Sequence, residues 1–428
     1  MEVLYNKVLG IDVHQSMISC CLVYYKDGKI LTEKKEFKTY GKDLRAMAIF
    51  AKQHGLDLVI MESTGIYWRT PYQVLEKVGI KAAVVNARQV KQMEGKKTDM
   101  GDAEWLAHIG RLGVFIRSFI PDLIYRQLRV PSREVMKLTD DLAAEKNRYG
   151  KILNDCGYRL NVVFADIFGV NATVAIDALI EGKTPDEIIK MLNLNRLKKK
   201  SAEEIRAALE GEMSASHRIT LLAIREHVSF LEKTLSGLRE YLHAEVEKLH
   251  PLSLKLLQTI PGIGPDSAVH ILIELGGDEL SAFDRAERLA SWIGVCPGNN
   301  ESAGKRKHGH IRKGNYYLRR ILCECAKGAV ATKGTTFQSK MKALRVRKLY
   351  KTSLIAMVHR LVRCIYSILK HQKGYIDPQI DYEVESAKKN ARRWVKVLCE
   401  LPEWKIDATD LSNGQKFKSA NAQTAATA

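Results

Sequence analysis

Apolar residues fall in short blocks or alternate with polar ones through the first hundred positions. After residue 130 they recur every three or four positions instead. The first regime predicts strands. Val8–His14 is a short apolar run, and Met17–Tyr24, rich in Val, Ile and Cys, follows it. Asp27-Gly28 is a hairpin turn signal, and Ile30–Tyr40 alternates as a third strand. Residues 43–53 carry helical spacing, Leu56–Thr64 reads as a buried strand, Pro71–Val78 as a helix and Ile80–Asn86 as a fifth strand. A helix from Thr98 to Leu112 closes the series. Three hairpin-joined strands, then helix, strand, helix, strand, helix, is the order of a ribonuclease-H-like α/β fold.

The second regime begins at Pro131. Val135, Leu138, Leu142, Tyr149, Ile152 and Cys156 mark one apolar stripe. Leu221, Ile224, Val228, Leu231, Leu235, Leu238 and Leu242 mark another, with steps of three and four that form a heptad seam. Between them, Thr184-Pro185-Asp186-Glu187 and Ser201-Ala202-Glu203-Glu204 are capping boxes. Residues 131–250 therefore read as a helical arm with a coiled coil, its seam filled by a second copy or by a helix of the same chain. Beyond Pro251 the turn Ile260-Pro261-Gly262-Ile263-Gly264-Pro265 lies between two helical patterns, as in a helix-hairpin-helix segment that aims backbone N–H groups at phosphate. Helices over Tyr316–Lys327 and Met341–Leu369 follow, and 405–428 reads as a disordered tail. The expected domains are 1–130, 131–250, a mainly α domain over 251–404, and the tail.

Charge changes the picture more than composition does. The 428 residues carry 46% hydrophobic and 27% charged side chains, enough to bury a core without disulfides. The eight cysteines show no zinc-ligand spacing, which fits free thiols in a reducing cytoplasm. No stretch reads as long and apolar enough to span a bilayer, and no N-terminal signal-peptide run is present. The net charge is +19, and the window from Ala303 to Lys370 holds 18 Lys and Arg against one acid, Glu324. Nearly the whole excess therefore sits in one segment, beginning with Lys305, Arg306, Lys307, Arg312, Lys313, Arg319 and Arg320. Such a segment calls for a polyanion, and a phosphate backbone is the default.

Carboxylates fall where a ribonuclease-H-like fold can use them. Asp12 lies inside the first strand, Glu62 ends the fourth in IMESTG, and Asp99 and Asp102 stand three apart on the last helix. An acid in an apolar strand is costly unless compensated, and one divalent cation compensates several at once. Singly, each has a plainer reading: Asp99 as an N-cap with Asp102 in its first turn, Glu62 as a surface residue at a strand end. Ser302 is the only serine between Ser291 and Ser339, set in a Gly- and Asn-rich cationic loop where it could attack a phosphodiester, although most loop serines only cap turns.

Taken together, Asp12 in GIDVH, Glu62 in MEST, TDMGDA around Asp99 and Asp102, the IPGIG turn and PGNNESAGKRKHGHIRKGNYYLR resemble the DEDD-type insertion-sequence transposases of the IS-one-ten (IS110) family, in its IS-eleven-eleven branch. The resemblance runs over roughly residues 1–370. It implies a RuvC-like N-terminal domain and a C-terminal transposase domain joined by the coiled-coil arm. It implies a recombinase guided by a bridge RNA or seekRNA, with Ser302 as nucleophile and Asp12, Glu62, Asp99 and Asp102 as a tetrad binding Mg²⁺, for which Mn²⁺ substitutes. It further implies double-stranded DNA as donor ends and target, a Holliday-junction-like intermediate, and a composite site in a homo-oligomer, a dimer or a tetramer in the synaptic complex. Where other members carry Ser-Ser-Gly-Gly, Glu301-Ser302-Ala303-Gly304 leaves one serine. The expected place of action is the bacterial cytoplasm, at the nucleoid, with no membrane partner. Two other classes compete: a metal-dependent junction endonuclease using only the tetrad, and a non-catalytic RNA- or DNA-binding protein.

Overall fold

In the computed structural model the described residues are 3–63, 65–80, 82–86, 101–197, 200–298, 301–302, 305–306 and 311–400; side chains are not described at 196, 301, 302, 305, 306 and 392–400. The chain divides into two compact units, Met1–Ile120 and Pro121–Ala428.

The first unit holds strands β1 (Val8–Val13), β2 (Met17–Lys26), β3 (Lys29–Lys38), β4 (Leu58–Glu62) and β5 (Ala83–Val85), with helices α1 (Gly41–Gln53), α2 (Arg69–Lys77) and α3 (Asp102–Leu112). The sheet order is β3-β2-β1-β4-β5. β1 to β3 form an antiparallel meander, and β4 and β5 run parallel to β1. Asp27 and Gly28, both at positive φ, close the β2–β3 hairpin as the sequence expects. This is the ribonuclease-H order. Alternation along the strands makes two cores. Leu9, Ile11, Val59, Met61 and Val84 meet Leu44, Met47, Tyr72 and Leu75 of α1 and α2. Val8, Leu58, Ile60, Ala83 and Val85 meet Ala103, Leu106 and Ala107 of α3. β3 is an edge strand, exposed at every position but Phe37 and dense in Lys and Glu, which discourages further pairing.

The second unit is helical. Its long elements are α4 (Leu123–Asp155) and α9 (Ala215–Leu249). The pairs Asp155–His217, Glu145–His227 and Lys146–Glu232 show that they run antiparallel. Between them lie α5 (Leu160–Val163), α6 (Val170–Glu181), α7 (Pro185–Met191) and α8 (Ala202–Ala208). Both capping boxes form: in the second, Glu204 N–H donates to Ser201 Oγ at 3.1 Å and Ser201 N–H to Glu204 Oε2 at 3.0 Å. The heptad seam is buried within this chain, with Leu221, Ile224 and Val228 in one core with Leu153, Ala175 and Ile176. Leu238 alone of the seven is partly exposed. The seam that offered itself to a second copy is closed by the chain itself.

The remainder comprises α10 (Pro251–Leu257), α11 (Pro265–Leu275), α12 (Ala286–Ile293), the two-residue strands β6 (Glu301–Ser302) and β7 (Lys305–Arg306), α13 (Tyr316–Ala331), α14 (Thr336–Arg345), α15 (Tyr350–His371) and α16 (Tyr382–Glu400). The IPGIG turn joins α10 to α11. Gly262 sits at φ +83°, and a Cβ there would lie 2.3 Å from the Cys325 carbonyl oxygen, so the turn lies directly on α13.

Three expectations need correction. The second regime begins at Leu123, not Pro131: Pro131 lies inside α4, whose buried Tyr125 and Leu128 extend the stripe upstream. Met341–Leu369 is two helices, because after Phe337, Met341 and Leu344 the next position of the stripe is Lys348. Tyr350–His371 is also long and apolar enough by composition to cross a membrane, contrary to the sequence reading; its apolar stripe, including Leu354, Met357, Val358 and Leu361, is buried within this unit.

Candidate active site

Asp12 and Glu62 belong to one face of one sheet. The last register pair between β1 and β4 is Ile11↔Met61, and one step on stand Asp12 and Glu62. Strand alternation puts both on the side of Val8, Leu58 and Ile60, under α3. That helix runs against β1. A Cβ on Gly10 would fall 1.9 Å from the Ala103 carbonyl oxygen, while one on Gly110 would meet Val8, Ile60 and Leu58. Its N-terminus therefore lies at the C-terminal ends of β1 and β4, and Asp102, its first residue, comes to the end where Asp12 and Glu62 stand. Asp12 is 17% exposed and one carboxylate oxygen lies 3.0 Å from His14 Nε2. The N-cap of α3 is Gly101 in an extended conformation, so the helix begins at Asp102 and not at Thr98 as expected, and Asp99, which lies outside the described residues, is not that cap. Among those described, no group of three or more His, Cys, Asp and Glu is close enough to hold a metal ion. The donor set is nonetheless all hard carboxylate oxygen, the chemistry that suits Mg²⁺ or Mn²⁺. Of the two β2 thiols, Cys21 lies on this face and Cys20 on the other, and burial pushes Cys21 up to about 11 and Cys20 up to about 12.

Ser302 lies in the second unit, in a loop with a closed base. α12 ends at Gly294, at φ +83°, and α13 begins at the N-cap Asn315. A Cβ on Gly294 would lie 2.6 Å from the Arg312 carbonyl oxygen, and one on Gly314 would lie 2.4 Å from Ile293, so backbone meets backbone where the loop leaves and returns. Pro297 and Ile311 form an antiparallel bridge further out, and β6 pairs with β7, Ser302 opposite Lys305 and Glu301 opposite Arg306. Among the described residues, 301–302 and 305–306 thus pair as a two-residue ribbon with Ser302 and Lys305 as register partners.

The cations named from the sequence divide into groups. Lys307 lies outside the described residues, and Lys305 and Arg306 are placed by backbone alone. Arg312 and Lys313 are exposed at the return of the loop. Arg319 donates to the Arg312 carbonyl at 3.3 Å. Arg320 is paired through both terminal nitrogens with Asp140 of α4, whose carboxyl is held below its ordinary range by that contact. The structure thus gives Arg320 a partner within the chain.

Sequence reasoning passed over the charged group behind the loop. Glu274 of α11 is fully buried. Arg133 Nε donates to its Oε1 at 2.7 Å and Arg133 Nη2 to its Oε2 at 2.9 Å, while Arg129 Nε stands 3.4 Å from Oε2. Asn315 Nδ2 donates to the same oxygen at 2.7 Å. Burial raises the Glu274 carboxyl, but the Arg133 hydrogen bonds and the charges of Arg129 and Arg133 outweigh it, and the net direction is down. The readable signal was Asn315 itself, an Asn directly before a helical run.

Comparison with known proteins finds family matches in both units. Residues 9–157 match a family described as a transposase, of the DEDD-type IS110 kind, and residues 254–342 match the transposase IS116/IS110/IS902 family. A probable family 20 transposase of Pseudomonas aeruginosa is 23% identical over 177 residues, 40% of this chain and 51% of that protein. The pilin gene-inverting protein of Moraxella bovis is 29% identical over 123 residues, 28% of this chain and 38% of that protein. A putative transposase of Sinorhizobium fredii is 29% identical over 141 residues, 31% and 36% of the two lengths. The matches thus span about half the length of the first relative and little over a third of the others. The solved RuvC of Thermus thermophilus aligns over 26% of this chain and 99% of its own, at 13% identity and a TM-score of 0.21, too slight a likeness to bear on the fold. The two family matches lie in the same order as the carboxylate-bearing sheet and the serine-bearing helical unit, and together they take in more than half of the sequence: the chain belongs to the IS110 family of transposases.

Proposed function

We propose that the chain is a DNA recombinase that moves an insertion sequence by cutting and rejoining strands through a covalent phosphoserine, guided by RNA, at the nucleoid of a bacterial cytoplasm. What supports the reading is that strand register and the seating of α3 put Asp12, Glu62 and Asp102 toward the same end of one sheet face, in a chain whose other unit pairs Ser302 with Lys305 in a ribbon register. The name of the Moraxella relative, a gene inverter, supports rearrangement over simple cleavage.

Asp12, Glu62 and Asp102, with Asp99, would hold Mg²⁺ or Mn²⁺, which when bound supplies charge neutralisation at the scissile phosphate. The chain's own groups do the rest. Ser302 Oγ attacks phosphorus; the Oγ–P bond forms as the P–O bond to the leaving sugar breaks, and the leaving oxygen takes up a proton while the serine proton passes to a base. Lys305 and its cationic neighbours balance charge on the non-bridging oxygens. Attack by a new strand's hydroxyl on the phosphoserine reverses the chemistry, so the phosphodiester energy is conserved and no nucleotide is required. The exposed Arg312 and Lys313 hold backbone phosphate, leaving sequence choice to pairing with the guide.

Ser302→Ala should bind DNA and RNA with wild-type affinity yet give no covalent protein–DNA adduct on a denaturing gel; an adduct that persists would assign the nucleophile elsewhere. Asp12→Asn and Asp102→Asn should abolish strand exchange while thermal melting stays near wild type, and full activity in chelator would remove the carboxylates from the chemistry. Protein purified at low salt should carry an RNA of discrete length, and recombination of pure DNA by RNA-free protein would sink the guided reading.

A further inference from the structure

The Ser302 loop returns to the helical body at one residue, and that residue is held three ways. Asn315 Oδ1 accepts the Leu318 N–H at 3.1 Å, which caps α13. Its backbone N–H donates to the Trp292 carbonyl at 3.2 Å, tying it to the end of α12. Its Nδ2 donates to buried Glu274 at 2.7 Å. The first two bonds are what any N-cap beside a tight turn would make. The third reaches into the interior, to a carboxylate already fixed by a two-pronged bond from Arg133, whose guanidinium lies 4.4 Å over the Tyr317 ring. A buried ion pair of this kind is poor evidence of stabilisation, because desolvation offsets most of the attraction. It is good evidence of fixed orientation, since each carboxylate oxygen is directed and α4, α11 and α13 all contribute.

We propose that Asn315 and Glu274 are positioning residues for the Ser302 loop: the Asn315–Glu274 bond fixes the angle at which the ribbon leaves the body, and so the place of the serine, without either residue touching DNA. The proposal rests on the reading of Ser302 as nucleophile. Between the Gly294–Gly314 contact and the ribbon there is only the Pro297↔Ile311 bridge among the described residues, so a small rotation at Asn315 is carried to the tip. A displacement of about 1 Å is enough to cost on the order of 10²-fold in a positioned reaction.

The test breaks the Asn315–Glu274 bond while keeping the cap. Asn315→Asp keeps an oxygen to cap Leu318 N–H but sets carboxylate against carboxylate. Asn315→Ser also caps but is too short to reach Glu274. In the full-length protein with its co-purified RNA, the readouts are the single-turnover rate of adduct formation on labelled DNA carrying the element's ends, the affinity for that DNA, and the melting temperature. The expected result is a rate lowered about 10- to 100-fold in both variants, with affinity unchanged within about twofold. Wild-type rates in folded Asn315→Asp or Asn315→Ser would overturn the proposal while leaving Ser302 in place. So would losses of rate that only follow losses of melting temperature. Absence of an adduct from the wild-type protein would instead overturn the reading of Ser302, and the inference with it.

Discussion

Arg320 sits in a run of cations, yet its charge is already matched by Asp140 across two helices, whereas the exposed Arg312 has no acid bonded to it among the described contacts. The two should therefore contribute differently to binding a polyanion. Arg312→Ala should lower the slope of log K against log salt by about one, and Arg320→Ala by clearly less, in DNA-binding titrations over a salt series. Arg320→Ala should cost about 0.2–1 kcal/mol of stability, as partly exposed pairs do. Equal slopes would show that Asp140 yields its partner to phosphate. His270 offers a pH handle at the same scale. Burial holds its imidazole below the ordinary value, and Nδ1 stands 2.7 Å from Ser132 Oγ. Asp266 and Glu274 pull the pKa up while Arg239 and His243 push it down, and burial prevails. The unfolded chain takes up this proton near pH 6.5, the folded chain only below that, so stability from the site is whole above about pH 6.5 and lost as pH falls through the window beneath. Urea midpoints should fall from pH 7.5 to 5.5, and His270→Gln should flatten that fall; an identical fall in the variant would assign it to other groups.

At the scale of elements, α3 carries Asp102 and is seated on β1 at Gly10. Gly10→Ala would drive a methyl into the Ala103 carbonyl, where only backbone can yield. It should destabilise the first unit by about 1–3 kcal/mol or more and reduce strand exchange by moving Asp102 away from Asp12 and Glu62. Thermal melting with an exchange assay reads both, and a variant of wild-type stability and activity would refute the seating. The first unit was legible because its rules are local: alternation marks the strands and Asp27-Gly28 the hairpin, whereas the common face of Asp12 and Glu62 needed the β1–β4 register, which no local signal carries. The second unit was legible in its caps and less so in its joints. A heptad reads alike whether its partner belongs to another copy or to the same chain, so Leu221–Leu242 gave no hint of α4. A proline reads as a helix start, so Pro131 hid the turns before it. Glu274 lies inside an apolar helical stretch, and nothing nearby in sequence announces Arg129, Arg133 or Asn315, which converge only through tertiary folding.

For the whole molecule, the carboxylates and the serine lie in different compact units, about two hundred residues apart in sequence. With the heptad seam closed within the chain, any copies that shared an active site would have to meet through another surface. Mixing Ser302→Ala with Asp102→Asn should restore part of the recombination if sheet and serine come from different copies, since one class of mixed site then has both intact halves; no rescue in well-mixed oligomers would place both in one chain. The contact of Gly294 with Gly314 carries a consequence for engineering. Because the body holds the two ends of the loop together, the entropy of closing whatever lies between them changes only slowly with its length. The segment behaves as a cartridge seated in a fixed socket. Residues 298–310 should be replaceable by a short Gly-Ser turn, or by a longer ribbon, without loss of the helical fold, and if Ser302 is the nucleophile the shortened protein should still bind DNA but form no covalent adduct.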